Sequence, residues 1–288
     1  VYSVTLRAQP VSTPAQFCGV TGGMGTVAGA NVTTVSVNCG APAARFAYVV
    51  NNGDASVSAY AVNAATGRLT FASKVATGTN PHSVTVDPNG KYAYVTNGQN
   101  GDKLSQYAVG VDGGLTPMGE TGVNPGSRSI IIDPSGKYGY VVNAFNFVVQ
   151  LSIDENGILY LRPAVQIGGF GDNPVAIAID PSGKYAYVVN RNSSNVSQYT
   201  IAPDGNLTPM TPATITTGTN PLSISVDPSG KYAYVANQGS SVSQYTISPN
   251  GSLTPMAPAT VAVGGNPASV TVDPSGKYAY VTNGSGDH

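Results

Sequence analysis

The stretch DPSGKYAYVVN, Asp180 to Asn190, reads as a tight turn running straight into a strand. Proline at the second turn position already has its φ where the turn needs it, and the glycine can take the positive φ that other residues avoid. In the strand that follows, Tyr185 and Tyr187 fall on one face by the period of two. The stretch returns as DPNGKYAYVTN at Asp87, DPSGKYGYVVN at Asp133, DPSGKYAYVAN at Asp227 and DPSGKYAYVTN at Asp273, with spacings of 46, 47, 47 and 46 residues. A sixth copy without its turn, RFAYVVN, begins at Arg45.

Each period holds four short runs: one like SVTVD, then KYAYVxN, then one such as Val196 to Ile201 or Val242 to Ile247, then one such as Ala259 to Val263. All alternate or are rich in β-branched residues, and Gly, Pro, Asn or Asp separates them. Four strands in a repeat of about 47 residues is the arithmetic of a β-propeller blade. The expected fold is therefore all-β, a propeller of four-stranded antiparallel blades. The anchors Asp87, Asp133, Asp180, Asp227 and Asp273 and the lysines four residues beyond each recur in every copy. Such equivalence assigns the aspartates to fixing turns, because a single catalytic site breaks the symmetry of a ring. The paired tyrosines should pack between neighbouring blades.

The 288 residues carry 13 Lys+Arg against 14 Asp+Glu, a net charge of -1, so no basic field draws nucleic acid. No stretch approaches the ~20 apolar residues of a transmembrane segment. The copies begin with the second strand of a first blade and stop after the second strand of a sixth, and the first residue is Val1 rather than Met. The expectation is a processed or truncated piece of a longer protein, with terminal strands open to pairing with other molecules.

Cys18 and Cys39 stand in a Ser/Thr/Gly/Val-rich segment that alternates like strands. A disulfide is the simple reading, since a loop of this size closed in a small module contributes about 3 kcal/mol and such bonds persist in oxidising compartments. Metal binding or catalysis would need partners, and no His, Asp or Glu lies between Val1 and Cys39. The run GTVAGANVTTVSVNC resembles the second half of the small immunoglobulin-like modules that precede repeat domains in bacterial secreted proteins. The domain reading is a partial module over 1–42 and a propeller over 43–288.

The residues YVTN at Tyr94 and Tyr280, their variants YVVN and YVAN, and the VSQYTI strands resemble the YVTN-repeat propellers of prokaryotic cell-surface and surface-layer proteins, relatives of the phosphogluconolactonase-like seven-bladed family. The resemblance implies secretion and an extracellular or cell-surface location, the periplasm included. It does not fix a reaction, because one fold hosts many functions.

Ligands of propellers bind at the mouth of the central channel, between the loops entering the innermost strands and those after the second strands. The entering loops read NPHS at Asn80, NPGSRS at Asn124, NPVA at Asn173, NPLS at Asn220 and NPAS at Asn266. His82 and Arg128 break the pattern, Arg128 in a loop that carries an insertion. Asp102, Lys103 and Arg191 are the unrepeated charges of the second set. His82, Asp102, Arg128 and Arg191 can surround an anionic sugar acid or lactone, with His82 as general base; solvated loop residues are the bland alternative. Asp154-Glu155-Asn156-Gly157 looks acidic enough for calcium but occupies a hairpin turn. No G-x-S-x-G elbow, C-x-x-C, H-E-x-x-H or phosphate-binding glycine loop is present, so no metal or cofactor is expected.

These features favour a secreted or surface-displayed structural or adhesive propeller, self-assembling through its terminal strands, with other surface proteins or copies of itself as partners. The rival is a lactonase-like hydrolase using His82 and Arg128. A third reading is a carbohydrate-binding propeller using tyrosines, or Phe145 and Phe147, which depart from the repeat.

Overall fold

The computed structural model describes residues 2–3, 17–21, 24–25, 36–40, 45–98, 103–123, 125–167 and 172–284. Near the N-terminus β1 (Tyr2–Ser3) pairs with β3 (Met24–Gly25), and β2 (Phe17–Thr21) pairs antiparallel with β4 (Ser36–Gly40). That register sets Cys18 directly across from Cys39.

The repeats build consecutive antiparallel sheets. The first holds β5 (Arg45–Asn51), β6 (Ser56–Val62) and β7 (Leu69–Ala76). The second blade runs β8 (Pro81–Val86), β9 (Tyr92–Asn97), β10 (Lys103–Val109) and β11 (Leu115–Gly122). The third runs β12 (Ser127–Ile132), β13 (Tyr138–Asn143), β14 (Phe147–Ile153) and β15 (Leu159–Gln166). The fourth runs β16 (Pro174–Ile179), β17 (Tyr185–Asn190), β18 (Asn195–Ile201) and β19 (Leu207–Thr216). The fifth runs β20 (Pro221–Val226), β21 (Tyr232–Asn237), β22 (Ser241–Ile247) and β23 (Leu253–Ala262). In the sixth, β24 (Pro267–Val272) pairs with β25 (Ala279–Asn283). The innermost strands β8, β12, β16, β20 and β24 pack side by side, as the propeller reading requires.

Alternating side chains leave each blade with two apolar faces, and each must be covered by a neighbour. Tyr140, Val142 and Val148 of the third blade accordingly meet Ile177, Val188 and Tyr199 of the fourth. The tyrosine pairs fix this stacking. Tyr48, Tyr94, Tyr140 and Tyr187 each donate to a glycine carbonyl in the outer turn of the next blade: Gly113 at 2.9 Å, Gly157 at 2.9 Å, Gly205 at 2.7 Å and Gly251 at 2.7 Å. The preceding ring lies flat against the same glycine, so that a Cβ on Gly251 would stand 2.1 Å from Tyr185, at a φ of +84°. Glutamines add a second tie, Gln106, Gln150 and Gln198 accepting from the amides of Leu159, Leu207 and Leu253.

The anchor aspartates hold the turns. Asp227 accepts from the amides of Ser229, Lys231 and Tyr232 at 3.0, 2.8 and 2.8 Å and from the Ser229 hydroxyl. Burial alone would raise its pKa; the Ser229 hydroxyl and these amides outweigh it and hold the carboxyl below its ordinary value.

Candidate functional site

Because Pro81 pairs with Asn97 and Pro174 with Asn190, the start of each inner strand and the end of each second strand meet at one end of the ring. The Asp-Pro turns lie at the other. Clefts at the turn end repeat between successive blades. One of 550 Å³ is lined by Lys137, Tyr138, Lys184 and Tyr185, and one of 520 Å³ by the corresponding Tyr185, Lys231 and Tyr232. They are the joints of the repeat.

The opposite end is where symmetry breaks. Each inner strand opens with a bulge: pairing skips from Pro81 to Ser83, from Ser127 to Ser129, from Pro174 to Ala176, from Pro221 to Ser223 and from Pro267 to Ser269. The skipped residues are His82, Arg128, Val175, Leu222 and Ala268, each five before an anchor aspartate. A bulge frees a residue from the ladder and re-aims its side chain. The residues preceding the bulge prolines, Asn80, Asn173, Asn220 and Asn266, have φ of 50°, 52°, 51° and 52°; in the third blade Gly126, φ 77°, takes that place. Gly126-Ser127 is thus the true counterpart of Asn80-Pro81. Asn124-Pro125 is not, and no insertion displaces Arg128 from the position of His82.

His82 and Arg128 are brought together. A Cβ on Gly98 would lie 2.5 Å from His82 Cδ2, 2.8 Å from Nε2 and 3.1 Å from the Ser127 carbonyl. The imidazole therefore fills the space a side chain at Gly98 would need and leans toward the third blade. His82 stays open to solvent, yet partial burial, and secondarily the Arg128 charge, hold its pKa below the ordinary value. The neutral form of the imidazole, the one able to accept a proton, is thereby favoured. Buried Thr96 braces both residues. Its hydroxyl accepts from the Ser83 amide at 3.0 Å and donates to the Arg128 carbonyl at 2.9 Å.

Arg191 sits on the fourth blade, half-buried, and donates to Gln238 Oε1 of the fifth at 2.9 Å. Asp102 lies outside the described residues. Lys103 is engaged by Glu120 at 2.9 Å and does not join the site. Phe145 is exposed, its ring 3.4 Å from the Cβ position of Gly126, whereas Phe147 is half-buried. Tyr94, Tyr140 and Tyr187 are buried between blades and offer no sugar platform. Asp154 closes its hairpin by accepting from the Asn156 and Ile158 amides, as a turn residue does.

Three residues escaped the sequence reading: Gln238, the partner of Arg191, and Thr96 and Asp172. Thr96 was legible only as the polar member of the YVTN/YVVN/YVAN variation. Asp172, the acid just before Asn173, accepts from the Ser193 hydroxyl and binds the entering loop to the following hairpin, where the Asn192 amide donates to its carbonyl at 3.0 Å. Its signal was a charge at a place that other copies fill with Thr, Pro or Gly.

Residues 39–125 and 80–257 match the family model of the lactonases with a seven-bladed β-propeller, and the chain belongs to that family. Solved structures share the fold at low identity. A Bacteroides uniformis protein named for an inferred 6-phosphogluconolactonase activity is 24% identical, over 83% of this chain and 74% of its own, with a TM-score of 0.72. A Bacteroides fragilis protein named for the same inferred activity is 20% identical, over 95% and 89%, with a TM-score of 0.70. The periplasmic gluconolactonase of Pseudomonas aeruginosa is 19% identical, over 79% and 70%, with a TM-score of 0.67. No curated protein matches the chain.

Family membership overturns the expectation of a structural or adhesive surface module and favours the lactonase-like hydrolase. The expectation rested on the near-identity of the repeats. That identity governs turns and blade contacts, while the bulge positions differ from copy to copy. Among the described residues no helix is long and apolar enough to cross a membrane.

Proposed function

We propose that the chain hydrolyses a sugar lactone at the bulge end of the ring, with His82 as general base and Arg128 as the electrophilic partner. The observation that carries this is the pairing of an imidazole of lowered pKa with a guanidinium at the same bulge of adjacent blades, in a chain of the lactonase family. His82 takes a proton from water as its oxygen bonds to the lactone carbonyl carbon. Arg128 stabilises the negative oxygen that forms and then the product carboxylate. The ring C–O bond breaks, and the proton passes from His82 to the departing ring oxygen. A neutral lactone and water thus become a hydroxy acid, which ionises. Phe145 offers an exposed apolar ring beside Gly126, two residues before Arg128.

The test is acid release, followed by pH-stat, from gluconolactone, 6-phosphogluconolactone and a glucarolactone. Wild type should exceed spontaneous hydrolysis on at least one of them, and H82Q should lower kcat about 100-fold or more with an unchanged circular dichroism spectrum. A wild-type rate equal to the spontaneous one on all three overturns the reading.

We further take Val1 to Cys39 as part of a small β module, within 1–42, closed by a Cys18–Cys39 disulfide, ahead of a YVTN-type propeller over 43–288. The facing register of the two cysteines supports it. So does a periplasmic relative, since both point to an oxidising compartment outside the cytoplasm. Thiol alkylation of the unfolded, unreduced protein checks this: label on either cysteine argues against the bond.

A further inference from the structure

At the bulge end each blade presents two adjoining positions, the bulge residue and the residue after the strand-ending asparagine. The amide of the second donates to the carbonyl just before the bulge dipeptide: Gly98 to Asn80 at 2.9 Å, Ala144 to Gly126 at 2.9 Å, Arg191 to Asn173 at 3.1 Å and Gln238 to Asn220 at 3.0 Å. In the second blade the pair is His82 with Gly98; in the third, Arg128 with Ala144; in the fourth, Val175 with Arg191; in the fifth, Leu222 with Gln238. One long polar side chain thus stands on each of four consecutive blades. The bulge supplies it in the second and third, the hairpin in the fourth and fifth, and where the bulge side chain is polar its companion is Gly or Ala. The collision of a Gly98 Cβ with the His82 ring shows why both cannot be large there.

The arc divides into two coupled pairs. His82 feels the charge of Arg128, and Arg191 is tied to Gln238. Gln238 contributes a neutral acceptor, so it fixes the guanidinium without cancelling its charge and leaves other N–H donors of the fork for a ligand. Neither Arg128 nor Arg191 forms an ion pair among the described residues. The Asp172–Ser193 bond next to Arg191 holds its hairpin against the entering loop.

We infer that Arg191, positioned by Gln238, is a specificity-determining residue that receives an anionic group on the substrate away from the reacting carbonyl, while His82 and Arg128 act at the carbonyl. The inference rests on the lactonase reading for the word substrate. The chemistry recognised is a second anion, a phosphate or a carboxylate, set apart from the lactone.

Calorimetric titration with open-chain acids, which do not react, isolates this recognition from catalysis. Gluconate carries one anionic group; 6-phosphogluconate adds a phosphate and glucarate a second carboxylate. Wild type should bind at least one of the two doubly anionic acids about 10- to 100-fold more tightly than gluconate, and whichever it prefers identifies the group. R191Q should abolish that preference while leaving gluconate affinity within about twofold, R191K should keep part of it because the charge remains, and Q238A should weaken it severalfold. Equal affinity of wild type for all three acids, absence of binding, or an equal loss for all three in R191Q overturns the inference. Failure of the lactone assay with an Arg191-dependent preference intact overturns the proposed reaction and leaves the anion site standing.

Discussion

His82 illustrates how much one side chain owes to its surroundings. An isolated imidazole titrates near pH 6.5, but partial burial and then Arg128 both disfavour its charged form and lower the pKa. If His82 is the base, kcat/KM rises as the pH climbs through this lowered pKa, so the acidic limb of the profile lies below about pH 6.5. In R128Q the limb should move to higher pH, because one of the two causes is gone while burial persists. A pH–rate profile of wild type and R128Q checks this; a limb that stays in place or moves to lower pH separates His82 from the titration. The same depression acts weakly on stability. Above the unfolded pKa the group adds nothing either way, and as the pH falls below it the unfolded chain binds the proton first, so folding is disfavoured.

At the scale of elements, the turn and strand of DPSGKYAYVVN form one device used in every blade. The aspartate gathers the amides of its own turn, and the two tyrosines that follow reach the next blade. Tyr187 is buried, and its hydroxyl meets the Gly251 carbonyl at 2.7 Å. Y187F should cost about 1–1.5 kcal/mol by leaving that carbonyl without its donor. G251A should cost more, because its Cβ meets the Tyr185 ring at a φ that L-residues avoid. Urea unfolding of the two variants measures both, and a Y187F midpoint equal to that of wild type would show that the Gly251 carbonyl finds another donor. Both effects should appear without loss of lactone hydrolysis, since the joint and the bulge lie at opposite ends of the blade.

Across the whole molecule, one end of the ring repeats and the other does not. Every joint from the first blade to the fifth reuses the Tyr–Gly contact, and the last three add the Gln tie, Ala59 standing at that position in the first blade. The bulge end is free of that uniformity because the residue skipped by the ladder has no strand partner to satisfy. Near-identical turns and joints thus leave one end of the ring free to differ, which is why the repeats were a poor guide to the absence of a reaction.

The sequence by itself determined the all-β class, the blade period, the turn role of Asp87, Asp133, Asp180, Asp227 and Asp273, and the tyrosine joints. These depend on local turn chemistry and on the period of two, which recur in one dimension. It also marked His82, Arg128 and Arg191 as departures from the repeat. Only the tertiary structure decided which departures belong together. The third-blade loop had to be placed by the φ of Gly126 and the pairing of Ser127 with Asn143 before Arg128 stood beside His82. Lys103 dropped out because Glu120, seventeen residues away in sequence, holds it across a strand pair. Thr96, Gln238 and Asp172 entered because hydrogen bonds between separate blades or loops give a side chain its role, and such bonds exist only once the blades are stacked.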